Sequence, residues 1–262
     1  MNNRSVKGNM ISGNPAKELI IFAIPMILGN LFQQFYNIAD SVIVGKFLGP
    51  DALAAVGASN SITTLFVMVA IGTGIGCSVI ISQLFGAGRM KDVKSSISTA
   101  LIAIFVFSII LSTIGFMLSG NILKWMHTPS DVYEEADKYL KIYFLGFAFL
   151  FMYNAFNAVF NALGDSAKPL VFLIFSSVLN IGLDILFVWK FGWGVAGAAW
   201  ATLIAQAVSA IISFIVLIHK IRGMQCERYD RFSPGLLKKM NYICLNVHKC
   251  LRASHIVVLW HV

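Results

Sequence analysis

The chain has 262 residues, 58% of them hydrophobic and only 12% charged, with a formal net charge of +8 and a mean hydropathy of +0.78. A soluble domain carries about 25% charged residues, so a water-soluble enzyme or binding module is excluded in favour of a protein that hides its apolar surface in lipid. The basic excess would suit nucleic acid, but Lys and Arg fall in short segments between long apolar runs, where they set topology instead.

Taken in chain order, residues 1–15 are polar and lack the basic, apolar and small-residue order of a cleaved secretory signal. They read as a cytoplasmic N-terminus. Apolar runs of the length that crosses a bilayer, about 20 residues, then predict spans over 16–47, 53–85, 93–119, 137–163, 167–191 and 195–218. The expected fold is an all-α polytopic membrane protein, with a six-helix lobe over 16–224 and a cytoplasmic or divergent tail over 225–262.

Span 1 contains "QQFYNIADSVIVGKFLG". Gln33, Asn37 and Asp40 are spaced i, i+4, i+7 and share one helical stripe. Tyr36 lies one turn before Asp40, and Pro25 leaves a backbone carbonyl without its helical donor. Span 2 carries "AIGTGIGCS", whose glycines inside an apolar helix read as close packing rather than as a phosphate loop. Before span 4, "HTPSDVYEEADKYLKIYF" begins a helix at Pro129, Ser130 and Asp131 and supplies Tyr139. Asn154, Asn157 and Asn161 then follow at spacings of three and four, with Asp165 one turn beyond. Span 5 repeats the pattern of span 1, with Asn180 and Asp184 at i, i+4. A glycine-rich turn, "FGWGVAG", leads into span 6, where Thr202 and Gln206 form another such pair.

Basic residues in short loops face the cytoplasm. Arg4, Lys7 and Lys17, then Arg89, Lys91 and Lys94, then Lys168, then Lys220 and Arg222 all fall on one side. That side is expected to be cytoplasmic, in the inner membrane of a prokaryote. Spans 1 and 5 then run the same way, and Asp40 and Asp184 are expected in the outer half, facing one cavity. Asn, Gln and Thr also serve as ordinary packing contacts in membrane helices, worth about 0.6 kcal/mol each. Asp40 beside Lys46, or Asp184 near Lys190, would likewise be unremarkable. A pair of intramembrane carboxylates, however, more often marks an ion or proton path. Such a pair takes up a proton, or holds Na⁺ with Asn180 alongside, and either event biases a two-state bundle. No nucleophile–base spacing is present, so no enzymatic centre and no cofactor beyond Na⁺ as a coupling ion is expected. A zinc site from Cys244, His248, Cys250 and His255 is conceivable, but its irregular spacing is a poor match.

Four stretches, "IPMILGNLFQQFYNIADSVIVGKFLGPDALAAVG", "GTGIGCSVIISQLFGAGR", "NAVFNALGDSAKP" and "LNIGLDILFVWKFGWGVAGAAWATLIAQ", resemble the multidrug and toxic compound extrusion family of cation-coupled antiporters. The resemblance implies the N-terminal lobe of a two-lobe transporter. It implies that Asp40, Asp184, Asn180 and Tyr36 couple ions, while Tyr139, Asn154, Asn157, Thr202, Gln33 and Asn37 line the substrate cavity. Expected partners are lipid, organic cations or amphipathic drugs, Na⁺ or H⁺, and a second lobe or pairing subunit, with no nucleic acid. The chain reads as the front of a truncated or frameshifted gene, as a half-transporter, or as a non-transporting membrane subunit. A lipid-linked saccharide flippase of related architecture is a further alternative, disfavoured because the spans bury no Arg or Lys.

Overall fold

The computed structural model describes residues 15–224, 232–240 and 242, and every regular element among them is helical. The helices are α1 (Pro15–Leu48), α2 (Pro50–Gly86), α3 (Met90–Trp125), α4 (Ser130–Leu145), α5 (Phe147–Ala162), α6 (Ala167–Asp184) and α7 (Gly194–Arg222). A π-helical turn, Ile185–Lys190, extends α6. Five helices are long and apolar enough to cross a membrane, and α4 with α5 forms a sixth, broken crossing. The polytopic all-α expectation is met.

Short connections make neighbouring helices antiparallel. Gly49 turns α1 into α2 at φ 88, a left-handed backbone that favours glycine. Pro50 then starts α2 at the position where a missing N–H costs nothing. α1 is continuous through Pro25 and peripheral, with Leu19, Ile20, Ile27 and Leu31 on an exposed apolar face of the kind that lipid covers.

The helix of the fourth crossing begins at Ser130, as the Pro129, Ser130 and Asp131 start signal predicts and ahead of the span boundary at 137, and it bends by 51° at Gly146, a break the sequence does not predict. Close packing marks the bend: a Cβ on Gly146 would lie 3.1 Å from Leu203 Cγ of α7, so the glycine lets α7 approach the backbone there. In α2, Gly74 does the same for α5, where a Cβ would meet Ala158 at 3.2 Å and the Asn154 carbonyl at 3.4 Å. That close approach is the packing the glycine run suggests.

The main core lies among α2, α3, α4, α5 and the end of α7, with Phe144, Phe147, Phe151, Phe160, Leu140 and Ile97 fully or almost fully buried. Its centre is an aromatic stack: Phe66 meets Phe144 and Phe147 edge-on at 5.4 and 5.0 Å, and Phe147 meets Phe151 at 5.3 Å. Met240 joins this core from the tail, and the Ser233 backbone N–H donates to Thr99 Oγ1 at 3.0 Å. The cysteine and histidine set of the tail, Cys244, His248, Cys250 and His255, lies outside the described residues, as does the N-terminal segment 1–14. A smaller core of Ile43, Val44, Val56, Val188, Val195 and Ala199 closes the other end of the bundle.

Candidate functional site: a polar cavity beneath two facing aspartates

Between α1, α2 and the helices α4 to α7 lies a cavity of about 490 Å³. α1 contributes Gln33, Tyr36, Asn37 and Asp40, the stripe expected from their spacing. α5 contributes Asn154, Asn157 and Asn161, α6 contributes Asn180, and α7 contributes Thr202 and Gln206. Tyr139 comes from α4, stacked on Tyr143 with ring centroids 6.2 Å apart. Helical periodicity explains the convergence, because each set repeats every three or four residues and so presents one polar face.

Asp184 is placed differently. It stands behind the cavity wall, 0% exposed, at the last α-helical position before the π-turn. Its carboxyl group is in side-chain contact with that of Asp40. Asn180, 1% exposed, completes the cluster. With its amide nitrogen turned to Asp184, Asn180 donates to Asp184 Oδ2 at 2.8 Å, and its oxygen accepts from the Thr202 backbone N–H at 3.2 Å and Oγ1 at 3.3 Å. Tyr36 meets the Thr202 side chain from α1. The two aspartates thus face each other rather than Lys46 or Lys190, and no ion pair to either lysine forms among the described residues.

Two orphaned atoms give the site its chemistry. Asp40 Oδ1 and Asp184 Oδ1 are both buried with no hydrogen-bond partner. Buried acceptors are normally paired, and two facing carboxylates repel when both are charged. A proton or a small cation between them relieves both problems. A compact, hard cation held by oxygen ligands alone fits this donor set. Among the described residues, no group of three or more His, Cys, Asp or Glu side chains could hold a metal ion.

Further along the cavity, Asn157 Oδ1, Asn161 Oδ1 and Ser177 Oγ are also buried and unpaired, and the Asn157 side chain reaches the Tyr153 hydroxyl. Asn154 differs, since its Nδ2 donates to the Leu150 carbonyl at 2.8 Å. Asp40 is the only charged residue among the described residues of the lining. An acceptor-rich wall with one carboxyl group and no Lys or Arg suits cationic or neutral guests and repels phosphates. Sequence reasoning missed the α2 wall, Asn60 and Thr63, and the tyrosines Tyr143 and Tyr153. The spacing of Asn60 and Thr63 was a usable signal, but an aromatic in an apolar helix looks the same whether it faces core, lipid or cavity.

The MatE family model matches residues 25–186, well over half of the chain. The chain belongs to this family. It is 34% identical over 226 residues to the probable multidrug resistance protein YpnP of Bacillus subtilis strain 168, covering 86% of this chain and 51% of that one. It superposes with a TM-score of 0.87, at 26% identity, on a structure described as the outward-facing conformation of a multidrug resistance MATE family transporter of the MOP superfamily, covering 98% of this chain and 57% of that one. Against a structure described as the inward-facing conformation of a multidrug resistance MATE family transporter of the MOP superfamily, the TM-score is 0.72, at 26% identity, with 81% of this chain and 49% of that one covered. The chain spans about half the length of the relatives it matches.

Proposed function

We propose that the chain forms the N-terminal lobe of a secondary active multidrug efflux transporter. In this role it exchanges Na⁺ or H⁺ for organic cations or amphipathic drugs. The observation that carries the proposal is the facing pair Asp40–Asp184, with orphaned buried oxygens, at the head of a polar cavity that lacks basic residues. Asp40 and Asp184 take up the coupling ion, Asn180 orients Asp184, and Tyr36 ties α1 to Thr202. Na⁺, if it is the coupling ion, is held by Asp40, Asp184 and Asn180. Gln33, Asn37, Tyr139, Asn154, Asn157 and Thr202 contact the drug.

The mechanism follows from charge. When Asp40 is ionised, the cavity attracts a cationic guest. When a proton or Na⁺ occupies the pair, that attraction is lost and the guest leaves. Ion and drug therefore compete, and each weakens the other by the same factor. The basic end, with Arg89, Lys91, Lys94, Lys168 and Arg222, faces the cytoplasm of a bacterial cell, and the higher similarity to the outward-facing relative supports an outward-open state. Polar side chains exposed midway along α1 and α2, among them Gln34, Asn37, Asn60 and Thr64, support a second six-helix lobe across the cavity, in the same chain or another. A cargo of lipid-linked phosphate finds no cationic side chain in this wall.

The test is binding rather than transport, because one lobe suffices for it. Ethidium fluorescence on the purified full chain is expected to rise on binding and to fall as Na⁺ or acid is added, with competition abolished in Asp40→Asn. Binding that ignores Na⁺ and pH alike would overturn the coupling scheme.

A further inference from the structure

The cavity ends, on the basic side, at the short connection 163–166 between α5 and α6. Ser166, Asn161 and Pro169 line that end. Gly164 turns the chain there at φ 76, and the Asp165 backbone N–H donates to the Phe160 carbonyl at 2.9 Å. Asp165 Oδ2 accepts from two ammonium groups, Lys168 Nζ at 2.7 Å and Lys220 Nζ at 2.8 Å. Both ammonium groups also lie over the Phe160 ring, at 5.4 and 5.7 Å from its centre. The neighbouring Ser166 Oγ donates to the Phe22 carbonyl of α1 at 2.9 Å. The bond ties the α5–α6 connection to the first half of α1, one residue beyond the Ile21 carbonyl that Pro25 leaves without its helical donor.

The two lysines are not equivalent. Lys168 is three residues from Asp165 and travels with it whatever the connection does. Lys220 arrives from the end of α7 and is a long-range tie. Its bond to Asp165 is largely shielded, with side-chain exposures of 22% and 21%, so it outweighs a surface pair. If Lys220 leaves, Asp165 keeps Lys168. Separation therefore avoids the heavy cost of stranding a partly buried charge without a partner. Such a contact can open and close.

We infer that Asp165, Lys220 and Ser166 form a latch that keeps the cytoplasmic floor of the cavity shut, and that parting Lys220 from Asp165 opens it. The inference rests on the transport reading above for its purpose, but its test reads access to the cavity and not transport. Asp165 and Lys220 are positioning residues, since neither lines the cavity. Their effect passes through Ser166 to α1.

The experiment uses the full chain in everted membrane vesicles, with Cys77, Cys226, Cys244 and Cys250 replaced by serine and Asn161→Cys as the single reporter. A membrane-impermeant maleimide added outside the vesicles reaches the reporter only through the cytoplasmic floor. Lys220→Met is expected to raise the labelling rate about tenfold, the scale of one lost charge-assisted bond. Ser166→Ala should raise it less, and Lys220→Arg should restore the slow rate. Lys141→Met, which cuts an ion pair to Asp137 on the opposite side of the bundle, should leave it slow. An unchanged rate in both Lys220→Met and Ser166→Ala overturns the latch, as does an equal rise in Lys141→Met. Should Lys220→Met fail to insert, Ser166→Ala alone decides. A labelling change with no ion–drug competition would leave the latch standing and the antiport reading fallen.

Discussion

The bundle has two flanks built on opposite rules. The flank where α2, α3, α4 and α5 pack on one another is dry. Its phenylalanines interlock, and several of its hydroxyls are spent on backbone carbonyls, as in Ser59 to Ala55 at 3.0 Å and Thr73 to Val69 at 2.7 Å. The flank facing α1, α6 and the first half of α7 holds a cavity, two facing carboxyl groups and a row of polar atoms without partners. Stability comes from the first and is given up in the second. A membrane bundle has little hydrophobic force between its helices, so the dry flank depends on shape. The wet flank leaves its polar groups unpaired so that a guest can pair them.

The contrast is open to direct attack, beginning where the largest effect is expected. Gly115 lies under the Phe144 ring, and an added Cβ would overlap it. Gly115→Val should therefore leave little folded protein in detergent, and Phe147→Ala should cost about 3–5 kcal/mol, both read by thermal melting. On the wet flank, Asp184→Asn should hold or raise the melting temperature, because it removes a carboxyl group that faces another. Ethidium binding should survive in it, competition by Na⁺ should disappear, and acid, which still neutralises Asp40, should go on weakening binding. If Asp184→Asn instead melts as early as Phe147→Ala, the division of labour between the flanks is wrong. Asn157→Leu is a finer probe. It deletes an unpaired buried acceptor, a change close to neutral for folding, so the melting temperature should move little while ethidium binds several-fold more weakly.

The smallest effect concerns Asp165 in the latch. Burial opposes its charge, but hydrogen bonds from Lys168 and Lys220 prevail and hold its pKa below the ordinary carboxylate value. A carboxyl group whose pKa is lower in the folded chain stabilises it above the unfolded pKa, about 3.9. That contribution is lost as pH falls through the folded value. Asp165→Asn should thus melt slightly below the parent at neutral pH, and the gap should close in acid, below about pH 4. A gap that persists unchanged in acid would mean the charge on Asp165 does not matter.

Much of the wet flank was legible in the sequence. Gln33, Asn37 and Asp40, and Asn180 and Asp184, are polar residues at helical spacing in otherwise apolar runs, and such stripes seldom face lipid. What was not legible depends on neighbours distant in sequence. The bend at Gly146 falls where Leu203 packs against the backbone, and a lone glycine in an apolar run carries the same signature whether it bends a helix or merely packs. The placement of Asp184 behind the wall, in contact with Asp40, depends on how α6 packs against α1. Nor does composition mark the π-turn that follows it, because "ILFVWK" would serve equally as an α-helix.

That turn has a consequence for how the site tolerates change. A π-turn holds roughly one residue more per turn than the α-helix, so it behaves as an insertion absorbed without a loop. Everything before it, including Asn180 and Asp184, keeps one helical phase. Phe187, inside the turn, stacks on Trp193 at 4.8 Å, and the helix ends at Lys190. Removing one residue from Ile185–Lys190 would let the turn tighten to α-helical winding and pull the aromatic stack and the start of α7 towards the aspartate. The wider turn thus holds one residue of slack between the carboxyl pair and its aromatic surround, and a single codon lost there would take it up.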